Sequence, residues 1–367
     1  MDNKIKSNTY KPYISGLKGF ACFMVMFGHY IELFKVAENF PVESNALDVF
    51  KTFIDSKIGF LLDETFWVIL FFVISGYLVA MSNIATFKDM LTKNVMRFLR
   101  LGIPILCAYV VIFLIYKTLG FHTLDTMNLF ENSFIQKHYL GTYSIWNVLK
   151  SPIDVLFLGK FTLNAPYWVL REMFISSILI YFFTWLRNKL SKINVFWIAL
   201  FLTMAVSMVV SNIVFAGLFG MLICLIEKDK GKEFLSNKLC VFALTVFCGL
   251  LYFIPSSRIS CVFFGAIILF IPKLPIVNKV ISSKFACFFG KISFGIYSLH
   301  WPVFFSFGML IISKTTEKFG LLESSVLAII ISIAITVLLS ILYYYGIEKH
   351  IYKLLKILER AWRKRYE

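Results

Sequence analysis

Two ionisable residues lie inside the first apolar segment of the chain, SGLKGFACFMVMFGHY at residues 15–30. Lys18 stands near its start, and His29 follows eleven positions later. A helix turns 100° per residue, so eleven positions close to within about 20° of three full turns and the two side chains share one face, about 16 Å apart along the axis. An ammonium can bind phosphate oxygens, and an imidazole can act as a general base or a nucleophile. The spacing predicts one wall of a channel with phosphate at its inner end, unless Lys18 reaches the lipid headgroups and His29 is a neutral packing residue.

A second histidine occurs in the apolar segment KISFGIYSLHWPVF, residues 291–304. Ser293, Tyr297 and His300 are spaced by four and three residues, so they form one polar stripe on a helix. Counted from the inner boundary, His300 lies at a depth similar to that of His29. We interpret the two histidines as parts of one site, and a purely structural hydrogen-bonded pair is the alternative.

A carboxylate enters the same layer from the opposite side. In NAPYWVLREMF the helix is expected to begin outside, which places Glu172 at roughly the depth of His29 and on the same side as Trp168. A carboxylate beside a histidine can fix its tautomer and raise its basicity, as a general base requires. The alternative is an ion pair of Glu172 with Arg171 or with an interfacial lysine.

Two further segments carry weaker signals. KNVMRFLRLGIP places Arg97 and Arg100 one turn apart at the cytoplasmic mouth of a helix, where paired guanidinium groups suit phosphate oxygens. Arginines at that boundary are also what the positive-inside rule predicts in any membrane protein. In FFVISGYL, Ser75 and Gly76 allow close helix packing, and a nucleophilic role for Ser75 would need a neighbouring base.

The composition determines the elements that must position these residues. Over 367 residues the chain is 59% hydrophobic with a mean hydropathy of +0.78, which indicates an all-α transmembrane bundle rather than a soluble domain. At about 20 apolar residues per span we predict ten helices. They lie at residues 13–34, 60–82, 98–117, 166–186, 194–210, 212–227, 238–254, 258–272, 286–312 and 325–346.

The charges of the connections predict the topology. Lysines and arginines concentrate at the N-terminus, in alternate connections and in the tail, so both termini are predicted to be cytoplasmic. This rule accounts for the net charge of +16, and we expect no nucleic-acid partner. The predicted organisation is a cytoplasmic tail at 1–12, a transmembrane domain at 13–348 with a long outer connection at 118–165, and a basic cytoplasmic tail at 349–367. The seven cysteines form no CxxC pair or Cys/His cluster, so no metal site is predicted.

Together these motifs resemble acyltransferase family 3, the integral membrane proteins that include bacterial O-acyltransferases of surface polysaccharides. The similarity runs from Tyr13 to about Tyr352. The segments that carry it, in family order, are GLKGFACFMVMFGH, FFVISGYL, RFLRLGIP, YWVLREMF and ISFGIYSLHWPV, and Glu348 in YYGIEKHIY resembles the glutamate of a closing signature without its proline. The family's Arg-x10-His pair falls on Lys18 and His29, so a lysine stands where the family has arginine.

The resemblance implies a donor, an acceptor and a location. An acyl-CoA, usually acetyl-CoA, would enter as co-substrate from the cytoplasm, and a carbohydrate hydroxyl would accept the acyl group in a bacterial cytoplasmic membrane. Lys18, Arg97 and Arg100 would hold the CoA phosphates, His29 would be catalytic with Glu172 and His300 beside it, and polysaccharide assembly proteins are conceivable partners. Two other classes stay open from the residues alone: a transporter or flippase that uses the buried ions as a proton relay, and a structural member of an assembly complex.

Overall fold

A computed structural model describes residues 11–35, 59–130, 137–190, 193–229 and 257–364, together with Thr52 and Ser56. Within these ranges the regular structure is entirely helical, without strands, so the predicted all-α class is confirmed. The main helices are α1 (Pro12–Lys35), α2 (Glu64–Ala80), α3 (Phe87–Thr118), α4 (Leu170–Lys189), α5 (Ile193–Val210), α6 (Asn212–Asp229), α7 (Ser257–Phe270), α8 (Pro275–Ile281), α9 (Lys284–Val303), α10 (Met309–Phe319), α11 (Leu321–Tyr343) and α12 (Lys349–Lys364).

Several of these helices are long and apolar enough to cross a membrane. In the described ranges five qualify: Pro12–Glu32, Phe87–Thr118, Ala165–Lys189, Lys284–Phe319 and Leu321–Trp362. A sixth would be the pair Ser260–Lys273 and Pro275–Ile281, which is bent by 103°. The chain is therefore a helical protein with several apolar helices of membrane-spanning length. Ten spans and cytoplasmic termini stay predictions, and the predicted helix at 238–254 lies outside the described residues.

Two predicted boundaries can be compared directly with the helices. The apolar run at 194–227 was expected to break at its Ser-Asn pair, and α5 and α6 are indeed separated at Ser211. The helix predicted from residue 98 begins eleven residues earlier, at Phe87. The prediction missed its first turns because they contain several charged residues. An apolar window locates only the part of a helix that can lie in hydrocarbon.

Two pairs of helices are continuous through π turns. Phe304–Gly308 joins α9 to α10, and Tyr344–Glu348 joins α11 to α12. The first turn follows Pro302, which lacks the N–H that an α-helix would donate four residues back, to the carbonyl of Ser298. The connection at 118–165 contains short helical pieces, at Thr123–Thr126, Ile145–Leu149 and Ser151–Ile153, with a π turn at Asp154–Leu158.

The chain divides into two compact units. The first consists of Met1–Ala21, Ile69–Leu91 and Ile175–Lys291. The second consists of Cys22–Val68, Thr92–Phe174 and Ile292–Glu367. Each is described separately below.

The first unit depends on backbone contact between α2 and α6. A Cβ atom added at Gly76 would overlap the carbonyl of Gly217, and one at Gly220 would overlap the carbonyl of Val73. Glycine at these positions lets the two helices approach through their backbones. At the end of the same helices, the ammonium of Lys11 lies 2.7 Å from one carboxylate oxygen of Glu227. The other oxygen of Glu227 accepts a hydrogen bond from the hydroxyl of the buried Tyr77.

The first prediction concerns this glycine contact. Gly76→Ala should lower the thermal unfolding midpoint in detergent, because the new methyl group forces α2 away from α6 at a cost of roughly 1–3 kcal/mol. The control is Gly346→Ala, where an added Cβ meets nothing within 4 Å. Equal midpoints for the two variants, measured by differential scanning fluorimetry, would contradict the close packing of α2 on α6.

Candidate functional site

The two predicted histidines are in direct contact in the second unit. Nε2 of His300 lies 3.1 Å from Nδ1 of His29, and the rings stack with centroids 5.1 Å apart and 21° between their planes. His300 is fully buried, whereas His29 is half-buried. The structure thus brings together two residues that are 271 positions apart in the chain.

The hydrogen bonds of this pair fix where its protons reside. Nδ1 of His300 faces the carbonyl of Ile296 at 3.0 Å, and a carbonyl only accepts, so this nitrogen carries a proton. Because burying an imidazolium is costly, we take both rings as neutral. Nε2 of His300 is then an acceptor, Nδ1 of His29 donates to it, and the basic lone pair of the pair resides on Nε2 of His29.

Aromatic side chains enclose the pair. The Trp301 ring lies 5.0 Å from that of His29, and the Phe304 ring stacks on Tyr30 at 4.9 Å. The Tyr30 hydroxyl donates to the backbone carbonyl of His300 at 2.8 Å and lies 3.0 Å from the hydroxyl of Thr336. These contacts fix the helix segment around His300 and keep most of the site away from water.

A second set of contacts anchors α9 to the turn Ala165–Val169. Asn164 donates to the carbonyl of Ser298 at 2.9 Å, which is the carbonyl that Pro302 leaves without its helical donor. The Tyr167 hydroxyl donates to the Ser298 hydroxyl at 2.7 Å. Asn164 and Tyr167 follow no helical pattern in the sequence that would indicate a functional role. The one signal is Pro302, four positions after Ser298, because it leaves the Ser298 carbonyl in need of another donor.

The predicted stripe on α9 also makes helix-to-helix contacts. Tyr297 donates through its hydroxyl to the carbonyl of Pro166, and the carbonyl of Ser293 accepts from the thiol of Cys22 at 3.0 Å. A backbone carbonyl therefore attaches α9 to α1, and the Tyr297 side chain attaches it to the turn before α4. Its members hold the helix that carries His300.

Glu172 does not make the contacts that were considered for it. Its carboxylate makes no hydrogen bond or ion pair with His29, with Arg171 or with any other described residue, and one of its oxygens is buried. The tautomer-fixing contact that was assigned to Glu172 is made by His300. Trp168 is 44% exposed, one turn before Glu172. A role for either residue in the reaction stays a prediction.

The predicted phosphate ligand Arg100 is already engaged. Its guanidinium lies 2.5 Å from one carboxylate oxygen of Glu359, whose other oxygen is 2.6 Å from the ammonium of Lys93. Glu359 belongs to α12, within the segment that the sequence analysis treated as a basic tail. It is the one acidic residue of α12, among lysines and arginines, so the net charge of the segment gave no sign of its role.

Glu348 and Arg97 lie around the same cluster. Glu348 is 2% exposed in the π turn before α12 and hydrogen-bonds Tyr352, which also lies within electrostatic range of Arg97 and Arg100. The predicted arginine pair thus belongs to a mixed cluster of charges. Lys18 and Ser75 lie in the first unit, and their predicted roles rest on the sequence.

A third histidine was missed because it lies in the irregular connection, where no helical period could place it. The His138 ring is 5.4 Å from the Trp301 ring and 6.0 Å from that of Phe305. Burial lowers the pKa of His138, so its ring is neutral at pH 7. Over the part of the chain that the structure describes, no three His, Cys, Asp or Glu side chains could hold a metal ion.

The comparisons with known proteins give one match. A family model described as an acyltransferase domain matches residues 11–345, nearly the whole chain. No curated protein and no solved structure matches this chain.

The second prediction tests the cluster around Glu359. Glu359→Gln removes the negative charge and one of the two acceptor oxygens that Lys93 and Arg100 share, so the protein should lose about 1 kcal/mol of stability, or a few degrees in its unfolding midpoint. Glu323→Gln is the control, because Glu323 is exposed and has no ion-pair partner among the described residues. If scanning fluorimetry finds the same midpoint for both variants, the ion pairs do not stabilise α12.

Proposed function

Because this chain belongs to acyltransferase family 3, we propose that it moves an acetyl group from acetyl-CoA to a hydroxyl of a cell-surface or lipid-linked carbohydrate. Family membership and the apolar helices establish a multi-pass membrane protein with acyl-transferring activity. The donor, the acceptor and a bacterial cytoplasmic membrane are the proposed details. The observation that carries the proposal is the contact of His300 with His29, which leaves a basic nitrogen on a half-buried ring.

In the proposed reaction, Nε2 of His29 takes the proton of the acceptor hydroxyl as its oxygen attacks the thioester carbonyl. The C–O bond forms and the C–S bond breaks through a tetrahedral intermediate, and the imidazolium returns the proton to the departing thiolate. One alcohol and one thioester thus give one ester and one thiol. The same lone pair could instead attack the carbonyl, forming an acyl-imidazole that the acceptor hydroxyl then cleaves.

His300 acts in this scheme as a positioning residue. When His29 becomes positively charged, its Nδ1–H already donates to Nε2 of His300, whose own Nδ1–H donates to the carbonyl of Ile296. The hydrogen-bond chain directs acceptor atoms toward the new charge before it forms, so little rearrangement is needed. Replacement of His300 would free the His29 ring to rotate and to change tautomer.

The CoA phosphates are proposed to bind Lys18, Arg97 and Arg100. Arg100 is held by one carboxylate oxygen of Glu359, and a phosphate could offer its guanidinium two oxygens. Phosphate binding therefore requires an exchange in which Glu359 releases Arg100. The double pairing of Glu359 makes the exchange less costly, because Lys93 can retain the carboxylate.

The third prediction concerns His29. His29→Ala should lower acetyl transfer at least about 100-fold, because the variant lacks the base, while the protein still inserts and elutes as a single peak in detergent. Surface glycans of cells that express each variant are analysed by mass spectrometry for acetyl esters. His122→Ala is the matched control, since His122 is paired with Asp125 in the connection. Acetylation at the wild-type level in His29→Ala would refute the proposed role.

The fourth prediction concerns the lysine that replaces the family's arginine. Lys18→Arg should leave the KM for acetyl-CoA unchanged or lower it several-fold, because a guanidinium binds phosphate bidentately. Lys18→Gln should raise that KM, and kcat should change less in both variants. Steady-state release of CoA thiol in proteoliposomes measures both constants. Collapse of activity in Lys18→Arg, with normal folding, would show that Lys18 does something other than bind phosphate.

A further inference from the structure

The connection between α3 and α4 borders an open cavity that the proposed reaction has not used. Its volume is about 430 Å³, within the range of small-molecule sites and large enough for a sugar residue. The lining includes the side chains of Lys137, His138, Tyr143, Lys160 and Phe161. All of its residues belong to the second unit, as do both catalytic-site histidines.

The charge of this lining is unbalanced. Lys137 and Lys160 are exposed, and no Asp or Glu is among the residues that line the cavity. Neither ammonium is in an ion pair with a described residue. Two cations that face one space repel each other, and an anion placed between them would relieve that repulsion. The neutral ring of His138 adds no charge to the lining.

The aromatic wall of the cavity is held rigidly. Tyr139 has a φ of 59°, a left-handed conformation that costs energy for a residue with a side chain, and its hydroxyl donates to the carbonyl of Leu163 at 3.0 Å. Its ring packs on Phe121 at 4.0 Å and on Phe305 at 5.1 Å. Backbone strain that is held in place by such contacts is characteristic of functional sites. Flat rings with a few polar groups suit the apolar face and hydroxyls of a sugar.

The cavity is also connected to the histidine pair. His138 lines it and contacts Trp301, which in turn lies 5.0 Å from the ring of His29. On its other side the lining residue Ala165 begins the turn whose next residues, Pro166 and Tyr167, accept from or donate to α9. A ligand in the cavity would thus touch His138 and Ala165, which adjoin the residues that surround and anchor the histidine pair.

From these observations we infer that the cavity binds an acidic sugar residue of the acceptor, with Lys137 and Lys160 on its carboxylate or phosphate group. This inference rests on the proposed function, since it names the acceptor class for the same site. It predicts that the substrate carbohydrate is anionic and that it is held beside His138, whose ring contacts Trp301 next to His29.

The fifth prediction is a binding measurement that needs no acyl transfer. The full-length protein is placed in neutral phosphatidylcholine nanodiscs without acetyl-CoA, and three probes are titrated: methyl β-glucuronide, methyl β-glucoside 6-phosphate and the uncharged methyl β-glucoside. Saturation-transfer NMR should give at least about tenfold tighter binding of one or both acidic probes than of the glucoside. The preference should shrink as salt is added, because salt screens the lysines.

Three variants locate the effect. Lys137→Gln/Lys160→Gln should reduce the preference to within about twofold, while Lys150→Gln, an exposed lysine of the same connection that does not line the cavity, should keep it. Gly141→Trp should weaken all three probes, because an added Cβ at Gly141 meets nothing within 4 Å and a large side chain can fill the space.

Three outcomes would overturn the inference. The first is no preference for the acidic probes in the wild type, and the second is a preference that survives in the double lysine variant. The third is loss of probe binding in nanodiscs that contain phosphatidylglycerol, which would identify the cavity as a lipid-headgroup site. The proposed function fails separately. If the acidic probes bind as expected but the wild type transfers no acetyl group to any glycan, the binding site for an acidic sugar is supported and the proposed acetyl transfer is refuted.

Discussion

The hydrogen bond between His29 and His300 is the constraint on which the second unit depends. The fully buried imidazole of His300 needs a hydrogen-bond partner for each of its nitrogens, and the half-buried ring of His29 supplies one of them. The carbonyl of Ile296 closes the chain at one end, which leaves the other end, Nε2 of His29, as the position that can exchange a proton with substrate. The same hydrogen bond thus satisfies the buried ring of His300 and determines that the basic nitrogen of the pair is Nε2 of His29.

Maintaining a 3.1 Å contact between two helices requires that neither helix slide or rotate. Tyr30 and Cys22 fix α1 to backbone carbonyls of α9 on either side of the contact. Pro302 has no N–H to donate to the carbonyl of Ser298, so this carbonyl accepts a hydrogen bond from Asn164 instead. That hydrogen bond attaches α9 to the turn before α4. The irregular parts of α9 are therefore what hold its regular part in register.

Helical periodicity predicted some of these features and could not predict others. It placed His29 and His300 at similar depths because rise per residue is a local property. It could not give the contacts of Glu172, since depth says nothing about the direction in which a side chain points across the bundle. Tyr167 and Asn164 follow no apolar period, and His138 lies in a connection with no period at all. The break at Ser211 was predicted because its cause, a polar pair within an apolar run, is local.

Glu359 shows that the charge of a segment is also an incomplete guide to the contacts of its residues. A single acidic residue in a basic segment carries no signal in composition, yet the fold places it against Arg100 and Lys93. Glu359 reaches these two residues because α12 continues α11 through the π turn, which places the charged helix α12 beside the first half of α3.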